Sequence, residues 1–197
     1  MLRVSRSSRA YHHGNLGPAL EDAALELLGE RGHVALSLRE VARQAEVSHN
    51  APYHHFGDRT SLLKRLSERC MAELLETMKA AVAEVDPEEA PHVAALAGGL
   101  AYIGYAAEYP ERFRVVYDPD VCVPGSPTAT MAPLIEEMEQ LLVDAVSPLA
   151  PDADAEALTA LTTAAWGGVH GLAELIVAGH VQLEEARPAL LALFVRG

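Results

Sequence analysis

The sequence predicts an all-α protein in two parts, a compact group of three N-terminal helices and a longer helical bundle behind it. Three observations carry this. Apolar residues recur at helical spacing along most of the chain, no period-two strand pattern persists, and Gly, Pro and Asp punctuate the chain at helical lengths. Half of the 197 residues are hydrophobic, enough for a sizeable core.

The elements follow in order. A stripe of Leu20, Ala23, Ala24, Leu27 and Leu28 predicts a helix from about Leu16 to Arg31, with Gly32 as its C-cap. Ser37 followed by Glu40 reads as a capping box opening a short helix with Leu38, Val41, Ala42 and Ala45 inward. Ser48 begins another short segment. Its Pro52 is tolerated only in a first helical turn, which sets the helix start near Asn50. After Gly57-Asp58 a long helix runs from about Arg59 to Val85. Further helices are expected at about 88–107, 110–117, 131–147, 154–180 and 184–195, with Pro-rich loops at 118–130 and near 148–151.

Charge is divided unevenly. Residues 1–70 hold 10 Lys+Arg against 8 Asp+Glu, a net of +2; the rest hold 5 against 20, a net of −15. Six of the nine histidines also lie in the first 70 residues. A mildly basic head on a strongly acidic body leaves the head as the face that can attract a polyanion.

Three short helices with a tight turn between the second and third describe a helix-turn-helix, in which the third helix presents side chains to a DNA major groove. Ser37, at a helix N-terminus, can hold a phosphate with its hydroxyl and the free backbone N–H groups. Arg39 can reach backbone or base edge. Ser48, His49, Asn50 and Ala51 begin the reading helix; Asn50 suits the N6/N7 edge of adenine and Ala51 a thymine methyl. Tyr53 and His54 can donate to phosphates, and Arg6, Arg9, Tyr11 and His12 can add phosphate or minor-groove contacts. Each also has a structural reading: the serines as caps, Tyr53 as packing, His54 and His55 as surface residues, and Phe56 as core.

The stretch GERGHVALSLREVARQAEVSHNAPYHHFGDRTSLLKRL resembles the DNA-binding domain of the TetR family of regulators, and YHHGNL is similar to the arm of one TetR branch. The resemblance covers about residues 11–69. It implies backbone contacts from Tyr53, His55 and Arg59, the last standing where the family usually has Lys. It departs from the pattern at Glu46, where the turn usually carries Gly, so a non-Gly residue is expected to need positive φ there.

Behind the head, Tyr102, Tyr105, Tyr109, Phe113 and Tyr117 place five of the nine Phe/Tyr within 16 residues. Trp166 and His170 share a helix face four residues apart. Tyr102, Tyr105, Phe113, Tyr117, Trp166 and His170 are the candidate lining of a small-molecule site; the same rings can equally be packed core, and the sequence leaves both open. The segments AYIGYAAEYPERFRVVYD and AAWGGVHGLAEL resemble one TetR C-terminal subfamily with a Trp…His-Gly signature, over about residues 100–182.

Residues 157–181 carry one charge, Glu174. The stretch is Ala-, Gly- and Thr-rich, contains His170 and lacks Lys or Arg anchors, so it is expected to be a helix buried on every side, in part against a second copy, rather than a membrane span.

No nucleophile elbow, phosphate loop, H-E-x-x-H or C-x-x-C is present, so no enzyme is expected, and no cofactor or metal. The resulting expectation is a flexible basic arm (1–14), a helix-turn-helix domain (15–58) and a ligand-sensing, dimerising domain (59–197). Function is expected to be sequence-specific regulation of transcription, with a homodimer on a palindromic double-stranded operator released by an unknown small-molecule effector. The alternative is a metal- or thiol-redox-responsive regulator of the same fold, using the head histidines or Cys70 and Cys122. With no apolar leader in MLRVSRSSRAYHHGN and no membrane segment, a cytoplasmic, nucleoid-associated location is expected.

Overall fold

The computed structural model describes residues 16–195. Nine α-helices and no strand occur among them: α1 Leu16–Ala35, α2 Leu38–Gln44, α3 Ala51–Phe56, α4 Arg59–Ala83, α5 His92–Glu108, α6 Pro110–Tyr117, α7 Met131–Val146, α8 Ala155–Val177 and α9 Ala186–Phe194. Two short 3₁₀ turns, Ser147–Leu149 and Leu183–Glu185, lead into α8's loop and α9. The chain divides into two units, residues 1–59 and 60–197.

In the first unit the whole predicted stripe of α1 is buried: Leu20, Ala23, Ala24, Leu27 and Leu28. The helical path breaks at Gly32, whose φ of 73° is the left-handed conformation a glycine adopts without steric cost. The capping box is only half formed. Ser37 Oγ accepts from the Glu40 N–H at 3.3 Å, but the Glu40 carboxylate accepts from the Ser37 hydroxyl at 3.0 Å instead of reaching back to the backbone. The reading helix starts at Ala51 with Asn50, not Ser48, at the N-cap, because Pro52 fits only the first turn.

The α2–α3 turn closes as a Schellman motif. Val47 N–H donates to Ala42 O at 3.0 Å and Glu46 N–H to Arg43 O at 3.2 Å. That motif requires a left-handed residue at its penultimate position, and Glu46 takes it with φ 54°. It is the one non-glycine with positive φ among the described residues.

The second unit is a helical bundle around Leu74, Met78, Leu96, Ile103, Phe113, Val169 and Leu190. Helix α5 lies at its centre and α9 closes on it: a methyl added to Gly99 would stand 2.9 Å from Leu190 Cδ1, and one on Gly168 of α8 would stand 2.8 Å from Leu193 Cδ2. Helix α5 begins four residues later than expected because Pro91 sits at its N-cap. Within one chain, α8 is not buried all round. It buries Ala165, Val169 and Ala173, and leaves Trp166 46% exposed. Its apolar surface exceeds what one chain covers. Among the described residues, no helix is long and apolar enough to cross a membrane.

Candidate nucleic-acid interface and effector site

The turn geometry decides what the head displays. With Glu46 left-handed and Pro52 buried, Ser48, His49 and Asn50 are exposed at the start of α3, and Tyr53 is 44% exposed one turn on. Asn50 makes no side-chain capping bond, and its amide has no partner among the described residues. Arg39, near the start of α2, is exposed and has no ion-pair partner among the described residues; Arg43 lies 4.0 Å from Glu40. Ser37 is half-buried with its proton committed to Glu40. Ala51 is half-buried and His54 exposed.

Two candidates have further contacts inside the unit. The His55 ring packs edge-on against Phe56 at 4.5 Å, and its Cε1 would stand 2.7 Å from a methyl on Gly17. Glycine at position 17 is therefore what lets α1 begin beside this ring. The Arg59 guanidinium donates to three carbonyls past the break at Gly32: Nε to Leu36 at 2.9 Å, and Nη2 to His33 at 2.6 Å and Val34 at 3.3 Å. The His33 carbonyl also accepts from the Leu36 N–H at 3.3 Å, and Arg59 adds to that bond in locking the connection from α1 to α2. Sequence reasoning held no signal for this contact. Arg6, Arg9, Tyr11 and His12 lie outside the described residues.

In the second unit the aromatic cluster separates into two groups. Tyr105 turns toward α4, its hydroxyl 3.3 Å from Cys70 O and 3.5 Å from Glu73. There it neighbours Tyr109, over whose ring Arg112 lies at 4.7 Å while pairing with Glu73 at 2.9 Å. Burial pushes the Tyr105 hydroxyl and the Cys70 thiol up, the latter to about 12, so neither ionises near neutrality.

The other group joins α5, α6 and α8. Tyr102 is buried, and its hydroxyl lies 2.7 Å from the Tyr117 hydroxyl and 2.7 Å from His170 Nδ1. Phe113 packs edge-on to Tyr102 at 5.3 Å and lies 5.6 Å from His170; Trp166 lies 6.0 Å from His170. Burial raises the pKa of both tyrosines and lowers that of His170, which is therefore neutral at pH 7; Glu174 opposes that shift in part.

These rings pack against one another. A cavity of about 50 Å³ adjoins Tyr102 and Trp166, but Gly98, Met138, Leu141 and Phe194 complete its almost wholly apolar wall. That is below the roughly 150 Å³ that accepts benzene. An open groove of about 390 Å³ lies beyond Val146 and Phe194, which line both spaces. Nothing in the residue pattern pointed to Phe194 in this wall.

This geometry, a three-helix head with an unspent reading helix and a separate helical bundle, defines a helix-turn-helix transcriptional regulator. Residues 20–66 match the family described as bacterial regulatory proteins, tetR family, and residues 95–197 match the tetracyclin repressor-like C-terminal domain. The chain belongs to the TetR family, whose members are DNA-binding transcriptional regulators and not enzymes. The HTH-type transcriptional regulator BetI of Rhizobium meliloti (strain 1021) is 36% identical over 72 residues, a segment spanning 36% of each chain. A Rhodococcus sp. RHA1 protein of unknown function has the same fold at TM-score 0.79 and 29% identity, over 95% of this chain and 97% of that one. PfmR, a TetR family regulator from Thermus thermophilus, superposes at TM-score 0.66 and 22% identity over 89% and 96%. FadR from Bacillus subtilis, solved with stearoyl-CoA, superposes at 0.69 and 14% identity over 90% and 97%.

Proposed function

We propose that this regulator is a homodimeric repressor, bound to a palindromic operator through α3 and released by a small-molecule effector held in the second unit. The observation that carries the reading is the exposed set Ser48, His49, Asn50 and Tyr53, whose side chains have no hydrogen-bond partner among the described residues, at the start of a helix whose buried Pro52 fixes its origin. In this reading Asn50 reads adenine, Ala51 a thymine methyl, and Ser37, Arg39, Tyr53, His54 and His55 hold phosphates. Arg59 keeps the α1–α2 connection in place and can reach the backbone with the guanidinium nitrogen its carbonyl bonds do not use.

The dimer rests on α8. Ala160, Ala164, Gly167 and Gly171 are exposed along one stripe, and a methyl added to either glycine would meet nothing within 4 Å. With α7 alongside, that surface suits a second copy related by a two-fold axis. The resemblance of Trp166-Gly-Gly-Val-His170-Gly to one C-terminal subfamily agrees with this arrangement. The effector would enter through the groove past Val146 and Phe194, and ligand-bound and DNA-bound head spacings would compete. Nothing favours the redox or metal alternative: burial raises both thiols, the opposite of what thiolate chemistry needs.

Gel shift against the DNA upstream of the protein's own gene, at two salt concentrations, tests the reader. A salt-sensitive, palindromic footprint lost on Asn50→Ala/Tyr53→Ala supports it. Binding that is insensitive to both substitutions overturns it.

A further inference from the structure

Two spaces in the second unit meet at one pair of side chains. The cavity of about 50 Å³ and the open groove of about 390 Å³ share Val146 and Phe194, and no other described residue. Val146 is buried, and α7 runs on from it into a 3₁₀ turn. Phe194 is half-buried at the last residue of α9, where the helix gives way to extended backbone at Val195. A helix end is where a helix opens at least cost, so Phe194 is the member of the pair that can move. The wall behind it is fixed. A methyl on Gly98 would stand 3.3 Å from Val82 Cγ2, and one on Gly99 2.9 Å from Leu190 Cδ1, so α4, α5 and α9 already touch there.

The cavity limits what can enter it. Met78, Val82, Met138, Leu141 and Val169 give it hydrocarbon walls, and its polar side chains are Tyr102 and Trp166. The Tyr102 hydroxyl is taken up by Tyr117 and His170, and the Trp166 indole is engaged with the same two tyrosines. A polar group brought there would lose its water with nothing in exchange. A ring of benzene's size needs roughly three times the space, whereas a methylene chain needs only its own width. The thioethers of Met78 and Met138 are flexible enough to follow such a chain.

The groove sets the other end of the ligand. It is open, so a polar group there keeps its water. His92 is the one titratable side chain among its described lining residues, and Asp86, Glu88 and Glu89 are exposed on the segment leading to it. With 5 Lys+Arg against 20 Asp+Glu in residues 71–197, a carboxylate would sit in a field of its own sign.

We infer that Phe194 and Val146 form a gate that passes an unbranched aliphatic chain, and not a ring, from the groove into the cavity, while the polar end of the ligand stays in the groove and carries no negative charge. Phe194 is the specificity-determining residue of that gate. This deepens the proposed effector reading and rests on it for its physiological role; the selectivity of the gate does not depend on it.

Trp166 lines the cavity and is the only tryptophan, so its emission reports entry in the full-length protein. 1-Octanol should perturb that emission and bind about tenfold more tightly than cyclooctanol, which has the same carbon number and the same hydroxyl; that is the factor for burying about two more methylenes. It should also bind more tightly than octanoate. In Phe194→Leu, checked for parental helix content by circular dichroism, the gate loses its ring, and the preference for the open chain should fall toward one. The comparisons in the parent stand whether or not the variant folds. Equal binding of cyclooctanol by the parent, or a preference unchanged in a folded Phe194→Leu, overturns the gate. Octanoate binding as tightly as 1-octanol overturns the charge assignment. Ala164 belongs both to the groove and to the small-residue stripe of α8. If a second copy fills the groove from that side, 1-octanol will leave Trp166 unperturbed, and the proposal fails. A tenfold preference accompanied by an operator complex that 1-octanol does not loosen supports the gate and overturns the effector reading instead.

Discussion

The two candidate sites treat their polar atoms in opposite ways. At the start of α3, Ser48, His49 and Asn50 stand exposed, and the Asn50 side chain makes no capping bond to the helix. In the bundle, Tyr102, Tyr117 and His170 give their hydrogen bonds to one another in a packed cluster beside a cavity of only about 50 Å³. A reader of DNA edges can be finished in advance, because its ligand is a surface. A small-molecule pocket in a bundle this tight has to be opened, so residues such as Phe194 and Val146 at its edge matter as much as its aromatic lining.

The sharpest way to break the comparison is at the reader. Asn50→Ala with Tyr53→Ala removes the proposed base contact and the proposed phosphate contact, and operator affinity should fall about 10²-fold or more, from contacts of about 1–3 kcal/mol each. Both positions are exposed, so circular dichroism and melting temperature should stay as in the parent. Loss of helix content would mean that the face is structural.

In the bundle the mirror-image result is expected, with folding hurt first. Tyr102→Phe removes the hydroxyl that bonds both Tyr117 and His170 Nδ1, and should cost about 2–3 kcal/mol in denaturant unfolding. Tyr117→Phe removes only the outer hydroxyl and should cost about 1 kcal/mol. Equal costs would mean that the bond between Tyr102 and His170 adds nothing to the one between Tyr102 and Tyr117. Arg59→Ala, which removes three hydrogen bonds to the α1–α2 connection, should destabilise the head by about 2 kcal/mol. Arg59→Lys should recover only part of this, since one ammonium cannot span the same carbonyls.

What could be read beforehand was local. The stripe of α1 was legible because helical periodicity alone sets which of Leu20, Ala23, Ala24, Leu27 and Leu28 face inward. Pro52 located the start of α3 because the ring tolerates only the first turn. The positive φ of Glu46 followed from the place of one residue in a known turn. What could not be read was long-range. Tyr102 and Tyr105 are three residues apart on one helix, yet one meets His170 and the other the backbone of Cys70. Spacing tells which side chains share a face, and says nothing of what stands opposite them. The Arg59 carbonyl contacts and the place of Phe194 escaped for the same reason, as did the half-formed box at Ser37, where rotamer choice decided against the expected bond.

The turn itself offers a prediction in the other direction. Glu46 holds a left-handed conformation that costs a non-glycine residue about 1 kcal/mol. Glu46→Gly should therefore raise the stability of the head by up to that amount, less the added freedom of its unfolded chain. An unchanged or lower melting temperature would mean that the Glu46 side chain contributes as much as its backbone costs.

The smallest effect belongs to His170. Burial holds its pKa below the ordinary 6.5, with Glu174 pulling the other way and with Tyr102, Tyr117 and Trp166 supplying no charge at neutral pH. A depressed histidine pKa means that the unfolded chain binds the extra proton more readily, so the contribution is complete above pH 6.5 and is lost as pH falls through the folded value. Melting curves at about pH 7.5 and about pH 5.5, either side of the ordinary histidine value, should therefore converge slightly in His170→Gln relative to the parent. If His170→Gln keeps the full acid sensitivity of the parent, the loss does not come from this imidazole.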